Sequence, residues 1–122
     1  MSNWIKFTNN NLEAFGVTSG SEVNVYDGDI FDNPSKTNIK FDLKDVIIKN
    51  PCQPTKMIAL WNNYQSLANE KGLSKPKNPL YLNKATSCII EQGENIIRPK
   101  NYHESIFYEG ELGIVIGKTC KE

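Results

Sequence analysis

Apolar and polar side chains alternate in short bursts through the first fifty residues. Trp4-Ile5-Lys6-Phe7-Thr8 carries the period of a half-buried strand. Asn9-Asn10-Asn11 reads as a turn. Glu13 to Val17 and Glu22 to Tyr26 are further strand candidates, separated by Ser19-Gly20-Ser21, and Asp27-Gly28 turns the chain again. Asp29 to Lys40 is polar, contains Pro34, and reads as an exposed loop. Val46-Ile47-Ile48 is a short β-branched strand that stops at Asn50-Pro51. The composition shifts at Pro51-Cys52-Gln53-Pro54, which places a boundary between a small β module over 1–51 and a second unit over 52–122.

The pattern changes after the boundary. Met57-Ile58-Ala59-Leu60-Trp61 is a continuous apolar run of strand length, the pattern of a strand buried on both faces. Asn62 and Asn63 are good helix caps. Tyr64 to Lys71 is compatible with a short helix, and Gly72 is a natural stop. Ser74 to Pro79 reads as an exposed basic loop, Leu80-Tyr81-Leu82 as a short strand, and Gln92-Gly93-Glu94-Asn95 as a turn before Ile96-Ile97. The longest strand candidate is Ser105 to Lys118. The pattern predicts a mainly β fold with one or two short helices, an α+β chain in class.

Composition narrows the possible functions. The chain has 122 residues, with 14 basic and 14 acidic side chains. A zero net charge supplies no field to draw it to nucleic acid or an anionic membrane. Lys71, Lys75 and Lys77 form only a short basic patch, with Tyr81 the one nearby downstream aromatic. Hydrophobic content of 39% is too high for a disordered chain of zero net charge. No apolar run approaches the roughly 18 residues of a membrane span. Met1-Ser2-Asn3-Trp4 lacks the basic and apolar blocks of a signal peptide. Cys52, Cys88 and Cys120 are odd in number and widely spaced, as reduced thiols of a cytoplasmic protein are, and they give no zinc spacing.

Chemistry concentrates in two stretches. In Tyr108-Glu109-Gly110-Glu111-Leu112, a strand would set Glu109 and Glu111 on one face. Two carboxylates held side by side repel, and a hard divalent cation removes that penalty. The pair is therefore either two solvated glutamates at a strand end or part of a magnesium, manganese or calcium site. In Lys56 to Tyr64, an apolar strand feeds a polar helix start, a usual place for groups that face a ligand. Asn62 and Asn63 equally suit a plain helix cap. Lys84 is placed to meet an anion or to face water. His103 is a lone histidine in a polar segment, of a type suited to acid–base work.

Taken together and in order, these stretches resemble the fumarylacetoacetate hydrolase family. The residues that carry the resemblance are Lys56 to Ala59, Asn63-Tyr64, Pro79 to Lys84, and Tyr108 to Lys118. It covers about residues 54 to 122, while residues 1 to 50 resemble the small β module that precedes this core in many bacterial members. The resemblance implies the start of a mixed β-roll and a metal-dependent enzyme that hydrolyses a C–C bond of a 2-oxo or diketo acid. It implies that Glu109 and Glu111 are two of three carboxylate ligands to magnesium or manganese. It matches Glu70 to the glutamate of a water-activating histidine–glutamate pair. Asn63, Tyr64 and Lys84 become substrate-binding residues.

Two departures qualify what is implied. The helix histidine of the hydrolytic members falls on Leu67, which takes no proton; members without that dyad include isomerases and decarboxylases. The family's third ligand is an aspartate further downstream, and no aspartate follows Asp45 here. The expectation is an incomplete β-roll: the N-terminal portion of such a protein, inactive by itself. It would work as a homo-oligomer or with a complementing chain, or persist as an inactive fragment or binding module.

Overall fold

The computed structural model describes residues 3–121. Met1 and Ser2, part of the start inspected for a signal peptide, lie outside the described residues, as does Glu122. The chain is mostly β, with two antiparallel sheets and one short α-helix among the described residues.

The first sheet grows from β1 (Asn3–Asn9), β2 (Leu12–Ser19), β3 (Glu22–Asp27), β4 (Ser35–Asp42) and β5 (Ile47–Lys49), in the order β4-β3-β2-β1-β5. The period-two pattern becomes physical in the register. Phe7 pairs with Ala14 and Ile48, Gly16 with Val25, and Val23 with Phe41, so these side chains share one face. Phe7, Val23 and Val25 are buried there, with Ile5, Ala14, Phe41, Leu43 and Val46 packed around them. The Phe7 and Phe41 rings meet edge to face at 5.9 Å. Gly16 is glycine for want of room: a Cβ there would lie 2.6 Å from Val23 Cγ1. The opposite face carries a Trp4–Tyr26 edge contact at 4.6 Å and a Lys6–Glu13 ion pair at 2.7 Å. That hydrogen-bonded lysine holds the exposed Glu13 carboxyl below its ordinary range.

The chain closes this core by crossing from one sheet edge to the other. After β4 a 3-10 turn, Leu43–Asp45, brings Leu43 and Val46 against the core before β5 pairs with β1. Asp42 caps the turn by accepting the Lys44 N–H at 3.1 Å. That backbone donor holds the Asp42 carboxyl below its usual value. Leu43 N–H donates to Ser21 O at 2.7 Å, and Asn9 Nδ2 donates to Asp45 O at 2.7 Å.

Here one sequence expectation fails. Asp29 to Lys40 is a loop only as far as Pro34, and β4 begins at Ser35. Ser-Lys-Thr-Asn-Ile-Lys is polar because this edge strand is mostly exposed, which leaves little apolar alternation to read. The β3–β4 register shifts between Asn24 and Tyr26, and Thr37 Oγ1 there donates to Val25 O at 2.9 Å.

The second sheet is a pair, β6 (Met57–Trp61) with β7 (Leu80–Lys84), joined through α1 (Gln65–Glu70). The run Met57 to Trp61 is a strand, as expected, but it is not buried on both faces: Ile58 is 60% exposed. A two-stranded sheet with one short helix supplies too little surface to cover it. The expected cap is also displaced. Tyr64 is the N-cap of α1 and makes no side-chain capping bond. Asn62 instead takes a left-handed conformation at φ 55° and donates from Nδ2 to Ser74 O at 3.0 Å, which ties the corner before the helix to the loop after it. At the other end, Gly72 (φ 64°) donates to Asn69 O, and Leu73 donates to Ala68 O at 2.8 Å. This paired arrangement is the Schellman stop that a glycine permits.

The strand expected over Ser105 to Lys118 does not form. The segment has no strand pairing, and Tyr108 is 97% and Leu112 84% exposed. Its β-branched pattern is a strand pattern, but a strand needs a neighbour to receive its N–H and C=O groups. Near its end Gly117 lies flat against the Phe31 ring, where a Cβ would be 3.2 Å from Cδ1. Beyond β7 the chain returns to the end of β5: Asn50 N–H donates to Glu91 Oε2 at 2.8 Å, and Lys49 lies 3.7 Å from Glu91.

Candidate functional site

Three stretches far apart in sequence converge on one cavity of about 120 Å³. The end of β6 and the start of α1 contribute Asn63 and Tyr64. The antiparallel partner contributes Leu82 and Lys84, on the face of β7 that also meets Met57 and Ala59 across the register. The unpaired segment brings Glu109 and Glu111 to the same wall. Five of the six residues expected from the sequence to bind metal or substrate, or to act in catalysis, therefore share this cavity. The sixth, Glu70, stands exposed in the last turn of α1 and does not line it.

The helix side of the cavity is apolar. Leu67 lines it at the position where hydrolytic relatives of this pattern would carry the histidine, with Leu60 and Ala68 beside it. His103 is exposed in an irregular segment that Arg98 clasps by donating to Tyr102 O at 3.2 Å and Glu104 O at 2.7 Å, and it does not line the cavity. Lys71 and Leu73 line the cavity without having been singled out as ligand-facing, and Trp61 lines it within the stretch that was. For Lys71 the available signal was its position just before the helix-stopping Gly72, beside a strand that ends in Lys84.

The donor chemistry fits a hard cation only in part. Glu109 and Glu111 both line it, and carboxylate oxygen is the ligand type that magnesium and manganese take. Among the described residues, no three His, Cys, Asp or Glu side chains gather closely enough to hold a metal ion. The pair stays exposed because the segment that carries it is not held in a sheet; it is not two adjacent positions of a strand, as the spacing had predicted.

A larger cavity, of about 420 Å³, opens between the first sheet, the stretch 50–54 and the stretch 86–91 that follows β7. It is lined by Lys6, Glu13, Lys49, Glu91 and Cys52, and holds none of the predicted site residues. Its lysines already face acidic partners at 2.7 and 3.7 Å. Size alone does not make it the better candidate, since its charges are spent on one another.

Comparison with known proteins places the whole chain in a family. A family model described as the C-terminal part of fumarylacetoacetate (FAA) hydrolase matches residues 56–122, more than half of the chain. A second model, described as Rv2993c-like, N-terminal, matches residues 3–49. The chain thus belongs to the fumarylacetoacetate hydrolase family. It is 36% identical over 84 residues to a fumarylacetoacetate hydrolase domain-containing protein 2 homolog of Dictyostelium discoideum, which covers 69% of this chain and 27% of that protein. It is 39% identical over 66 residues to a 4-hydroxyphenylacetate degradation bifunctional isomerase/decarboxylase of Salmonella dublin, covering 54% of this chain and 15% of that one. Among solved structures, Cg1458 shares its fold with a TM-score of 0.55 at 22% identity, over 70% of this chain and 33% of that chain. The chain spans a third or less of the length of each of these three. No helix among the described residues is long and apolar enough to cross a membrane.

Proposed function

We propose that the cavity between β6, α1 and β7 is part of the active site of a divalent-metal-dependent enzyme acting on a 2-oxo or diketo acid. Of the family's reactions, isomerisation or decarboxylation fits this chain better than C–C bond hydrolysis. One observation carries that choice: Leu67 lines the cavity, and among the described residues neither a histidine nor Glu70 does. Hydrolysis needs a group that takes a proton from water, within hydrogen-bond reach of it. Isomerisation and decarboxylation need chiefly an environment that stabilises an enolate. The relation to a bifunctional isomerase/decarboxylase supports the same choice.

In this reading Glu109 and Glu111 are ligands to magnesium or manganese, and Asn63, Tyr64 and Lys84 contact the substrate. Two protein carboxylates leave an octahedral ion short of donors, so the remainder come from water, the substrate or another polypeptide. The unpaired apolar segment 105–118 favours a second copy or a complementing chain as that source, because pairing would cover it.

Calorimetric titration of magnesium and manganese tests the proposal on this chain and on its Glu109→Gln/Glu111→Gln variant. Saturable binding that the double variant loses is the expected result. The absence of binding to either protein would overturn the assignment of this pair as ligands.

A further inference from the structure

We propose that Lys71 is a specificity-determining residue that reads a second carboxylate on the bound oxo acid, an inference that rests on the reading above. Lys71 and Lys84 line the same cavity from different elements, one from the end of α1 and the other from the end of β7. Neither lies within ion-pair distance of an acidic side chain among the described residues, whereas Lys6, Lys40, Lys44 and Lys49 all do. Two lysines outside these ion pairs therefore line one small space, together with Glu109 and Glu111, the pair read above as metal ligands.

The space between them suits a short carbon skeleton. Leu67 and Leu82 supply apolar wall, and about 120 Å³ is room for roughly four waters, hence for a small acid and not a polymer. An apolar wall also strengthens charge pairing relative to bulk water. A 2-oxo monocarboxylate occupies one ammonium and leaves the other unmatched. A 2-oxo dicarboxylate engages both.

The backbone at Lys71 is held by the end of the helix. Its N–H donates to Leu67 O at 3.0 Å, and the following Gly72 and Leu73 complete the helix stop. The residue sets where the lysine stem starts, and the long flexible stem does the rest.

The test is the ratio of affinities for two stable probes, 2-oxoglutarate and pyruvate, measured calorimetrically on the full chain in buffer containing manganese. The parent chain is expected to prefer the dianion by about tenfold, the effect of roughly one charge-assisted contact. Lys71→Ala should abolish that preference by weakening 2-oxoglutarate about tenfold while leaving pyruvate within about twofold. Lys71→Arg should keep the preference, and Lys84→Ala should weaken both probes. A merely structural role for Lys71 would lower both affinities together and leave the ratio unchanged. An unmoved ratio, an equal loss for both probes, or no binding of either probe to the parent chain overturns the proposal. If metal still binds through Glu109 and Glu111 in that case, only the role of Lys71 falls; if metal does not bind, the assignment of the pair falls with it.

Discussion

The sheet over residues 3–49 and the segment over 57–121 contain similar β-type sequence, yet they bury it to different degrees. In the first, five strands and a crossover enclose Phe7 and Val23 with no exposed surface at all. In the second, Ala68 is the sole buried hydrophobic residue among those described, while Ile58, Leu82 and Ile114 stay open. The contrast teaches that apolar content does not make a core. A core needs a second surface on the far side of each strand, and one pair of strands with a six-residue helix offers little. The cavity proposed as the site sits on the open side of this divide. Ligand-facing groups belong on less tightly packed elements, and a cavity that a partner or ligand completes is one way to use them.

Three tests sharpen the comparison. The largest effect belongs to the closed core. Phe7→Ala should destabilise the chain by about 3–5 kcal/mol, through lost transfer energy and the cavity left behind. Ile114→Ala, of an apolar residue on the open side, should stay within about 0.5 kcal/mol. Urea unfolding of both variants checks the pair, and equal losses would show that the open segment is packed after all.

A smaller effect is expected at Gly16, where an added Cβ meets both Val23 and the Asn24 carbonyl. Gly16→Ala should cost about 1–3 kcal/mol by overpacking. The same change at Gly110, where nothing lies within 4 Å, should leave the denaturation midpoint nearly unmoved. A Gly16→Ala midpoint equal to the parent's would mean that the sheet relaxes at little cost.

The smallest effect is electrostatic. Glu13 has a folded-state pKa held below its ordinary value by Lys6. A depressed carboxyl contributes stability that is present above the unfolded pKa and is lost as pH falls through the folded one. Acidification through that window should therefore lower the thermal midpoint slightly, and Glu13→Gln should flatten the dependence. Because the group is exposed the shift should be slight and screened by salt. A pH profile identical in parent and variant would remove Glu13 from the account.

Much of this architecture was legible along the chain. Alternation located β1, β2 and β3 to within a residue or two, Gly72 marked the helix stop, and the family resemblance pointed to Asn63, Tyr64, Lys84, Glu109 and Glu111 before any geometry was known. What was misread shares a physical cause. Ser35 to Lys40 looked like loop because an exposed edge strand need not alternate with apolar residues. Ser105 to Lys118 looked like strand because β propensity describes a fit to neighbours that this chain does not place beside it. Asn62 looked like a cap, but its side chain reaches forward to Ser74 instead. Lys71 looked like part of a short basic patch, and only the tertiary structure set it in the same cavity as Lys84.

By itself, then, the order of residues determined the short-range features: the period of the strands, the turns at asparagine and glycine, the stop of the helix, and the types of side chain available for chemistry. These depend on backbone sterics and on contacts a few residues apart. The tertiary structure decided which residues lie inside, where the edge strand begins, and which charges share a cavity. Those outcomes depend on surfaces distant in sequence meeting in space, and a strand or a carboxylate pair takes its meaning from what stands opposite it.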